Sequence, residues 1–316
     1  MNVRSWVSGF VAVSFLAGQA WAKPDWVEKN TSKKHPPEKF FIGVGSSPDE
    51  GSAKDKARAE IAKILKSKVE QVQQDKETYA SQTTGKKTST QQTLEVSSAT
   101  KVKVEETLEG VEIVETYKDD NIVWALASLD REKTAADLRK KATDLELQGD
   151  ELLKAANTEN KLQKAKGLYS AWEKFAKADG YSSQLAVVSP TGAGVTYRAG
   201  ETRIKRDKAL ADVKFRVDVK GEGLADVIKT INQALTGIGF SGVSAGQKED
   251  LLVQGELEVN EFDRGTPTKF AKWGLRIEIM DNATGEAVGT LSKVGDEGSN
   301  TFDLARQRAI VKIRGL

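Results

Sequence analysis

The chain has 316 residues, of which 38% are hydrophobic and 30% are charged. This apolar content suffices for two modest hydrophobic cores, so we expect two globular domains. Its 48 basic and 46 acidic residues leave a formal net charge of +2, which excludes a strong field that would steer the protein to nucleic acid. The chain contains no cysteine, so its stability must come from packing and not from disulfides.

The first 22 residues have the pattern of a secretory signal peptide. Arg4 supplies the positive end, an apolar run follows, and Ala20-Trp21-Ala22 forms a small-x-small cleavage site. The apolar run is too short, and too rich in glycine and serine, for a comfortable membrane span. We therefore expect cleavage after Ala22 and a periplasmic mature protein, with retention of the segment as an anchor as the alternative.

Residues 23–38 are polar, contain three prolines and are predicted to form an arm. Their one large apolar pair is Trp26 and Val27. Burial tendencies favour packing of Trp26 on the domain edge, and exposure to a partner is the alternative. The chain's one histidine, His35, lies in the same arm, where a mobile backbone offers no preorganised catalytic or metal site.

The first domain is predicted over residues 39–130 and opens with a strand, a glycine turn and a helix. Gly43 and Gly45 would let the backbone leave the strand, and Ser46 and Ser47 would cap the helix. The glycines lack the third member of the dinucleotide fingerprint, so a tight turn is favoured over phosphate binding. The helix carries small and then larger apolar residues at four-residue spacing: Ala53, Ala57, Ile61, Leu65 and Val69.

Two further stretches complete this domain. Residues 71–92 are either a helix end followed by a long loop or the tip of an extended hairpin. Residues 122–127 are apolar on both faces, which predicts a strand in the middle of a sheet.

The order of segments resembles a known family. Pro24-Asp25-Trp26-Val27, Ile42-Gly43-Val44-Gly45, the alanine-rich helix and Val123-Trp124-Ala125-Leu126-Ala127 look like the LPP-20 lipoprotein family of bacterial envelope proteins, over residues 24–130. The resemblance implies a location in the cell envelope and a structural role, as in flagellar outer-ring assembly proteins. The family's lipid-bearing cysteine is absent, and Lys23 stands in its place, so we expect no direct lipid anchor.

Residues 131–185 are predicted to form a helical hairpin, followed by a linker at 186–211 that contains Pro190 and several glycines. A single hairpin cannot bury its own apolar face, so it must pack on a flanking domain or on a partner. The face with Trp172 and Phe175 is more often core than a partner site. Trp172 and Phe175, together with Trp26, are nevertheless the candidate partner-binding residues.

The second domain is predicted over residues 212–316, with the order strand, helix, three strands, helix. Gly237 and Gly239 would end its first helix, and Asn300 or Thr301 would cap its last. Residues 252–257 and 275–281 resemble the small envelope docking domain of curli-secretion and penicillin-binding-protein-activator lipoproteins. That resemblance implies a protein–protein docking module.

The residues support no catalytic or cofactor site. No thiol exists, one histidine cannot form a zinc site, and the clusters Asp119-Asp120-Asn121 and Asp281-Asn282 are explained by turns. We expect an α+β protein of two small sheet-and-helix domains joined by a helical hairpin, which acts as a non-enzymatic periplasmic scaffold or assembly factor for envelope proteins. The alternatives are a ligand-binding or hydrolytic protein with an interdomain cleft, and a peptidoglycan or lipid surface binder. The sequence does not indicate the oligomeric state.

Overall fold

The computed structural model describes residues 23–84, 108–189, 191, 198–221 and 224–315. These residues form two compact units: the first holds 23–64 and 108–130, and the second holds 65–84 and 131–315. The predicted signal peptide, and the part of 71–92 beyond residue 84, lie outside the described residues.

Helices and strands are mixed in both units, which confirms the predicted α+β class. The described helices are α1 Asp25–Lys29, α2 Glu50–Thr84, α3 Arg131–Ala155, α4 Lys161–Val188, α5 Arg198–Asp212, α6 Ala225–Ile238 and α7 Phe302–Arg314. The described strands are β1 Phe40–Ser47, β2 Glu112–Asp119, β3 Ile122–Asp130, β4 Lys214–Gly221, β5 Ser241–Gly242, β6 Leu251–Asp263, β7 Lys269–Asp281 and β8 Glu286–Ser299.

The first unit is built on an antiparallel sheet whose described strands have the order β1-β3-β2. The central position of β3 confirms the prediction from its two apolar faces. On one face, Gly43 and Gly45 of β1 lie opposite Ala127 and Ala125 of β3, so this face carries almost no side-chain volume at these four positions. Helix α2 packs against that smooth face.

Gly43 and Gly45 are not the predicted bend, because both lie inside β1. A Cβ atom on Gly43 would lie 2.3 Å from the Ala57 carbonyl oxygen, and one on Gly45 would lie 2.2 Å from the Ala53 carbonyl oxygen. The two glycines are therefore needed for close approach of a helix backbone to a strand backbone.

The predicted serine caps are also wrong. Ser46 and Ser47 remain in the strand, and the backbone N–H of Ser52 donates instead to the carboxylate of Asp49, at 2.8 Å. This hydrogen bond lowers the pKa of Asp49. A carboxylate at this position satisfies a free N–H group of the first turn and interacts favourably with the helix dipole.

Residues 23–38 do not form a free arm. Helix α1 places Trp26 and Val27 against Leu126 of β3 and the apolar residues around it, on the sheet face opposite to α2. The predicted packing of Trp26 on the domain is thus confirmed. The polar composition was misleading because two large apolar side chains suffice to hold a short segment on a sheet.

In the second unit, α3 and α4 form the predicted helical hairpin, and α5 packs beside α4. Helix α5 begins inside the segment predicted as a linker. Ala199, Thr202, Arg206 and Ala209 are its buried residues at helical spacing, together with Leu210. The glycine-rich residues before it concealed this helix, since glycine interrupts the pattern that signals a helix start.

The C-terminal part follows the predicted element order, with the short strand β5 added. The described strands have the order β5-β4-β6-β7-β8; β4 is parallel to β5 and β6, and β6, β7 and β8 are antiparallel. Gly239, with φ of 112°, ends α6, whereas Gly237 lies within that helix. The Thr301 hydroxyl caps α7 by accepting from the Leu304 N–H at 3.3 Å, as predicted.

One continuous core joins the helical hairpin to this sheet. Ala156, Ala165 and Leu168 of the hairpin region belong to the same buried cluster as Phe215 and Trp273 of the sheet. The apolar face that a single hairpin cannot bury alone is therefore covered within the second unit.

Candidate functional site

Among the described residues, no group of three or more histidine, cysteine, aspartate or glutamate side chains is placed to hold a metal ion. His35 lies in the turn before β1, where its Nδ1 is 3.2 Å from the Ser32 hydroxyl. Its ring meets the Phe40 ring edge-on, with 5.0 Å between centroids. His35 is thus a packed turn residue and is not part of a mobile arm.

Trp26 is buried and hydrogen-bonded. Its side chain is 3% exposed, and its indole N–H donates to the Glu115 carboxylate at 2.7 Å. Lys34 donates to the other oxygen of Glu115 at 2.7 Å. The bond from Lys34, with that from Trp26, lowers the pKa of Glu115 despite partial burial. Trp26 therefore fixes α1 to β2, and this structure leaves it almost no surface for a partner.

Phe175 lies where α3, α4 and α5 meet. It is 0% exposed, and a Cβ atom on Gly149 of α3 would lie 2.6 Å from its ring. The guanidinium of Arg198, on α5, lies 4.2 Å from the ring centroid on another side and forms a bidentate ion pair with Asp150. This pair lowers the pKa of Asp150. Phe175 is therefore a core residue that joins the three helices.

Trp172 keeps an exposed part. It is half-buried and packs against the Phe175 cluster on one side. On another, the Arg206 guanidinium lies 4.1 Å from its ring centroid. Tyr169 is 44% exposed, and its ring centroid lies 5.7 Å from the Trp172 ring centroid and 5.7 Å from the Arg206 guanidinium carbon. Tyr169, Trp172 and Arg206 together are called the aromatic–arginine surface below.

Helix geometry explains how this surface assembles. Tyr169 and Trp172 are three residues apart on α4 and so share a face, and α5 supplies Arg206 from the neighbouring helix. Arg206 is buried, stacks on aromatic rings and donates its Nε–H to Asp207 at 2.8 Å. Its charge is therefore balanced before any partner arrives, which rigidifies the surface.

The sequence indicated Trp172 but missed the other two members. Arg206 lies in the segment predicted as a linker, so the sequence revealed neither its helix nor its position next to α4. Tyr169 had a visible signal, namely its spacing of three residues from Trp172 in a predicted helix. The three residue types are those that contribute most binding energy at protein interfaces.

In the part of the chain that the structure describes, no helix is both long enough and apolar enough to cross a membrane.

The LPP20 lipoprotein family model matches residues 24–130, about a third of the chain. This match agrees with the resemblance predicted for that part. The resemblance of residues 212–316 to curli-secretion proteins stays a prediction. No curated protein matches the chain.

Several solved structures are similar to the chain at low identity. The secreted protein HP1454 of Helicobacter pylori matches 87% of this chain and 96% of its own, at 15% identity and a TM-score of 0.44. Lipoprotein GNA1162 of Neisseria meningitidis matches 33% of this chain and 99% of its own, at 10% identity and a TM-score of 0.23. A minor lipoprotein of Acinetobacter baumannii matches 32% of this chain and 78% of its own, at 12% identity and a TM-score of 0.23.

Proposed function

We propose that this is a non-enzymatic protein of the bacterial cell envelope that acts as a periplasmic scaffold or assembly factor. The match of residues 24–130 to the LPP20 lipoprotein family supports the location. The observation that carries the binding role is the aromatic–arginine surface, in which Tyr169 stays exposed beside a fixed Trp172 and Arg206.

Such a surface binds protein at low cost. The stacked Arg206 and the half-buried Trp172 are already ordered, so little side-chain entropy is lost when a partner covers Tyr169. Helix α5 carries five basic and three acidic residues, so its surroundings favour an acidic partner. The partner we expect is therefore an envelope protein that presents an apolar side chain within an acidic rim.

Site-specific photo-cross-linking in cells tests this function. A photoreactive residue at position 169 should yield one discrete product with an extracytoplasmic protein. The matched control is position 147 on α3, where Leu147 is also exposed, and it should yield no such product. Equal products from both positions, or products with cytoplasmic proteins alone, would contradict the proposal.

Purified components then measure the contribution of Tyr169. Tyr169→Ala should weaken binding of the cross-linked partner by about tenfold or more, the range expected for an interface hot spot. Leu147→Ala should leave the affinity unchanged. Both substitutions replace exposed side chains, so neither should alter the thermal stability of the fold.

A further inference from the structure

Strand β8 is a long open edge. It pairs with β7 along one side, and no other strand in the described ranges pairs with its second side. The opposite edge of the sheet is formed by β5, which has only two residues. A strand of 14 residues with unpaired backbone groups is a template for pairing with another chain.

An apolar groove accompanies this edge. Helix α7 packs on the sheet through Ala305 and Ala309, and its outer side leaves Leu304 46% and Val311 64% exposed. These two residues line an open groove of about 480 Å³ that also includes Glu297 of β8. Exposed apolar side chains on a helix beside an open strand indicate a surface that another protein covers.

Charge is placed asymmetrically along the strand. Lys293, Gly295 and Glu297 lie opposite Leu275, Trp273 and Ala271 of β7. Cross-strand partners share a face, and these three β7 residues are buried, so Lys293, Gly295 and Glu297 belong to the helix-bearing face. Among the described residues, neither Lys293 nor Glu297 has an ion-pair partner.

We propose that β8 pairs with β8 of a second copy of this chain, antiparallel, about a two-fold axis through Gly295. Lys293 then lies opposite the partner's Glu297, and Glu297 opposite the partner's Lys293, which gives two ion pairs across the seam. The two five-stranded sheets become one continuous sheet. The two-fold axis is perpendicular to the sheet, so the helices of both copies lie on the same face of the continuous sheet. Each copy contributes the same strand, which makes the interface closed.

The sequence of β8 selects this register. An axis through Lys293 would oppose two lysines, and an axis through Asp296 or Glu297 would oppose two carboxylates. An axis through Val294 would leave Lys293 facing glycine. At Gly295 a side chain is also excluded, because a Cβ atom would lie 2.6 Å from the Trp273 ring.

The paired segment of β8 is short, so contacts from α7 are also needed to hold the interface together. Arg308 donates to the carbonyl oxygen of Gly298 at 2.7 Å, so the open edge ends before that residue. The pairing therefore spans residues 293–297 of each copy. On the helix-bearing face, Leu304 and Val311 of the two copies add apolar contact next to the seam, and the dimer should dissociate at roughly micromolar concentration because the interface is small.

A charge swap tests the register. Sedimentation equilibrium of the purified protein should show a monomer–dimer equilibrium, and Lys293→Glu or Glu297→Lys alone should weaken it by about tenfold or more. The double variant should restore the wild-type affinity to within about threefold, because the ion pairs form again with reversed sign. Lys248→Glu, an equal charge change in an exposed loop, should have no effect.

A second variant tests the helix contact. Val311→Lys should weaken dimerisation, yet leave the circular dichroism spectrum and thermal midpoint unchanged, because Val311 is exposed in the single chain. A wild-type protein that stays monomeric at about a hundred times the expected dissociation constant would overturn the proposal. A dimer whose affinity is unchanged by Lys293→Glu, Glu297→Lys and Val311→Lys would do the same. Neither result would bear on the aromatic–arginine surface, which uses other helices.

Discussion

In the first unit, the backbones of α2 and β1 are in direct contact at Gly43 and Gly45, with almost no side-chain volume between them. In the second unit, large side chains separate the helices from the sheet. Gly43 and Gly45 face the backbone of α2 directly. In the second unit, Phe215, Leu257 and Trp273 fill the space beneath the helices. The first contact can accept no added atom, and the second can lose none without leaving a cavity.

The difference also separates what holds each unit together. A contact between two backbones depends on their shapes, and it cannot adjust to an added atom by a change of side-chain conformation. The helix would have to move away, and this would expose its whole apolar stripe. A contact through large side chains depends on buried area, and neighbouring side chains can relax in part after a substitution. The first unit should therefore be destabilised most by a substitution that adds volume, and the second by one that removes volume.

The largest effect is expected from Gly45→Val. Its side chain would overlap the Ala53 carbonyl and the Ala57 N–H, which are backbone atoms and cannot rotate away. We expect the first unit to lose more than about 3 kcal/mol of stability, the upper range for overpacking. Hydrogen exchange should accelerate over residues 40–47 and 122–130, and unchanged protection there would contradict the contact.

Phe215→Ala should produce the next largest effect, by removal of volume. Phe215 is fully buried in the second unit, so the loss should be about 3–5 kcal/mol. Exchange should accelerate over residues 251–281. The control is Phe262→Ala, because Phe262 is exposed near the end of β6 and its loss should cost little. Similar destabilisation by both variants would show that burial does not set the effect.

Glu115→Gln should have a smaller and pH-dependent effect. The pKa of Glu115 is lowered in the folded state, so its carboxylate stabilises the fold above the ordinary value of 4.5, and this contribution is lost as the pH falls below it. At about pH 7 the variant should lose about 1 kcal/mol, and at about pH 3 it should match the wild type. Urea unfolding at both pH values measures the difference, with exposed Glu109→Gln as the control. A pH-independent loss would contradict the role of the charge.

The smallest effect is expected from Gly237→Ala, which has the opposite sign. Gly237 lies inside α6, and a Cβ atom there would meet nothing within 4 Å. Alanine should therefore stabilise the second unit by about 0.5–1 kcal/mol, through helix propensity alone. Thermal unfolding that shows destabilisation would indicate a neighbour that the structure does not place there. The contrast with Gly45→Val distinguishes a glycine that is needed for close backbone packing from one that is not.

Local patterns predicted several elements well. The two apolar faces of β3 indicated its central position, and the threonine at 301 indicated a helix start, because each depends on residues within one element. Gly43 and Gly45 could not be interpreted in the same way. A bend and a close backbone approach both require glycine, and only the position of α2 distinguishes them.

The surfaces were harder to predict than the elements. Arg206 reaches Trp172 only because α5 packs beside α4, and no local pattern reveals that pairing. The open edge of β8 likewise follows from the placement of β4 next to β6, a crossover between strands that are distant in sequence. Strand order of this kind is a property of the whole unit.

The glycine contact between β1 and α2 also limits how this domain can diverge. Most packed pairs of positions can exchange volume, so that a larger residue on one element is offset by a smaller one on the other. Here the obstacle to a larger residue at position 43 or 45 is peptide backbone, which no substitution in α2 can shrink. Relatives that keep this helix on this strand should therefore show fixed glycines at both positions and no compensating pairs. A sequence without these glycines should hold its helix at a greater distance or in another place.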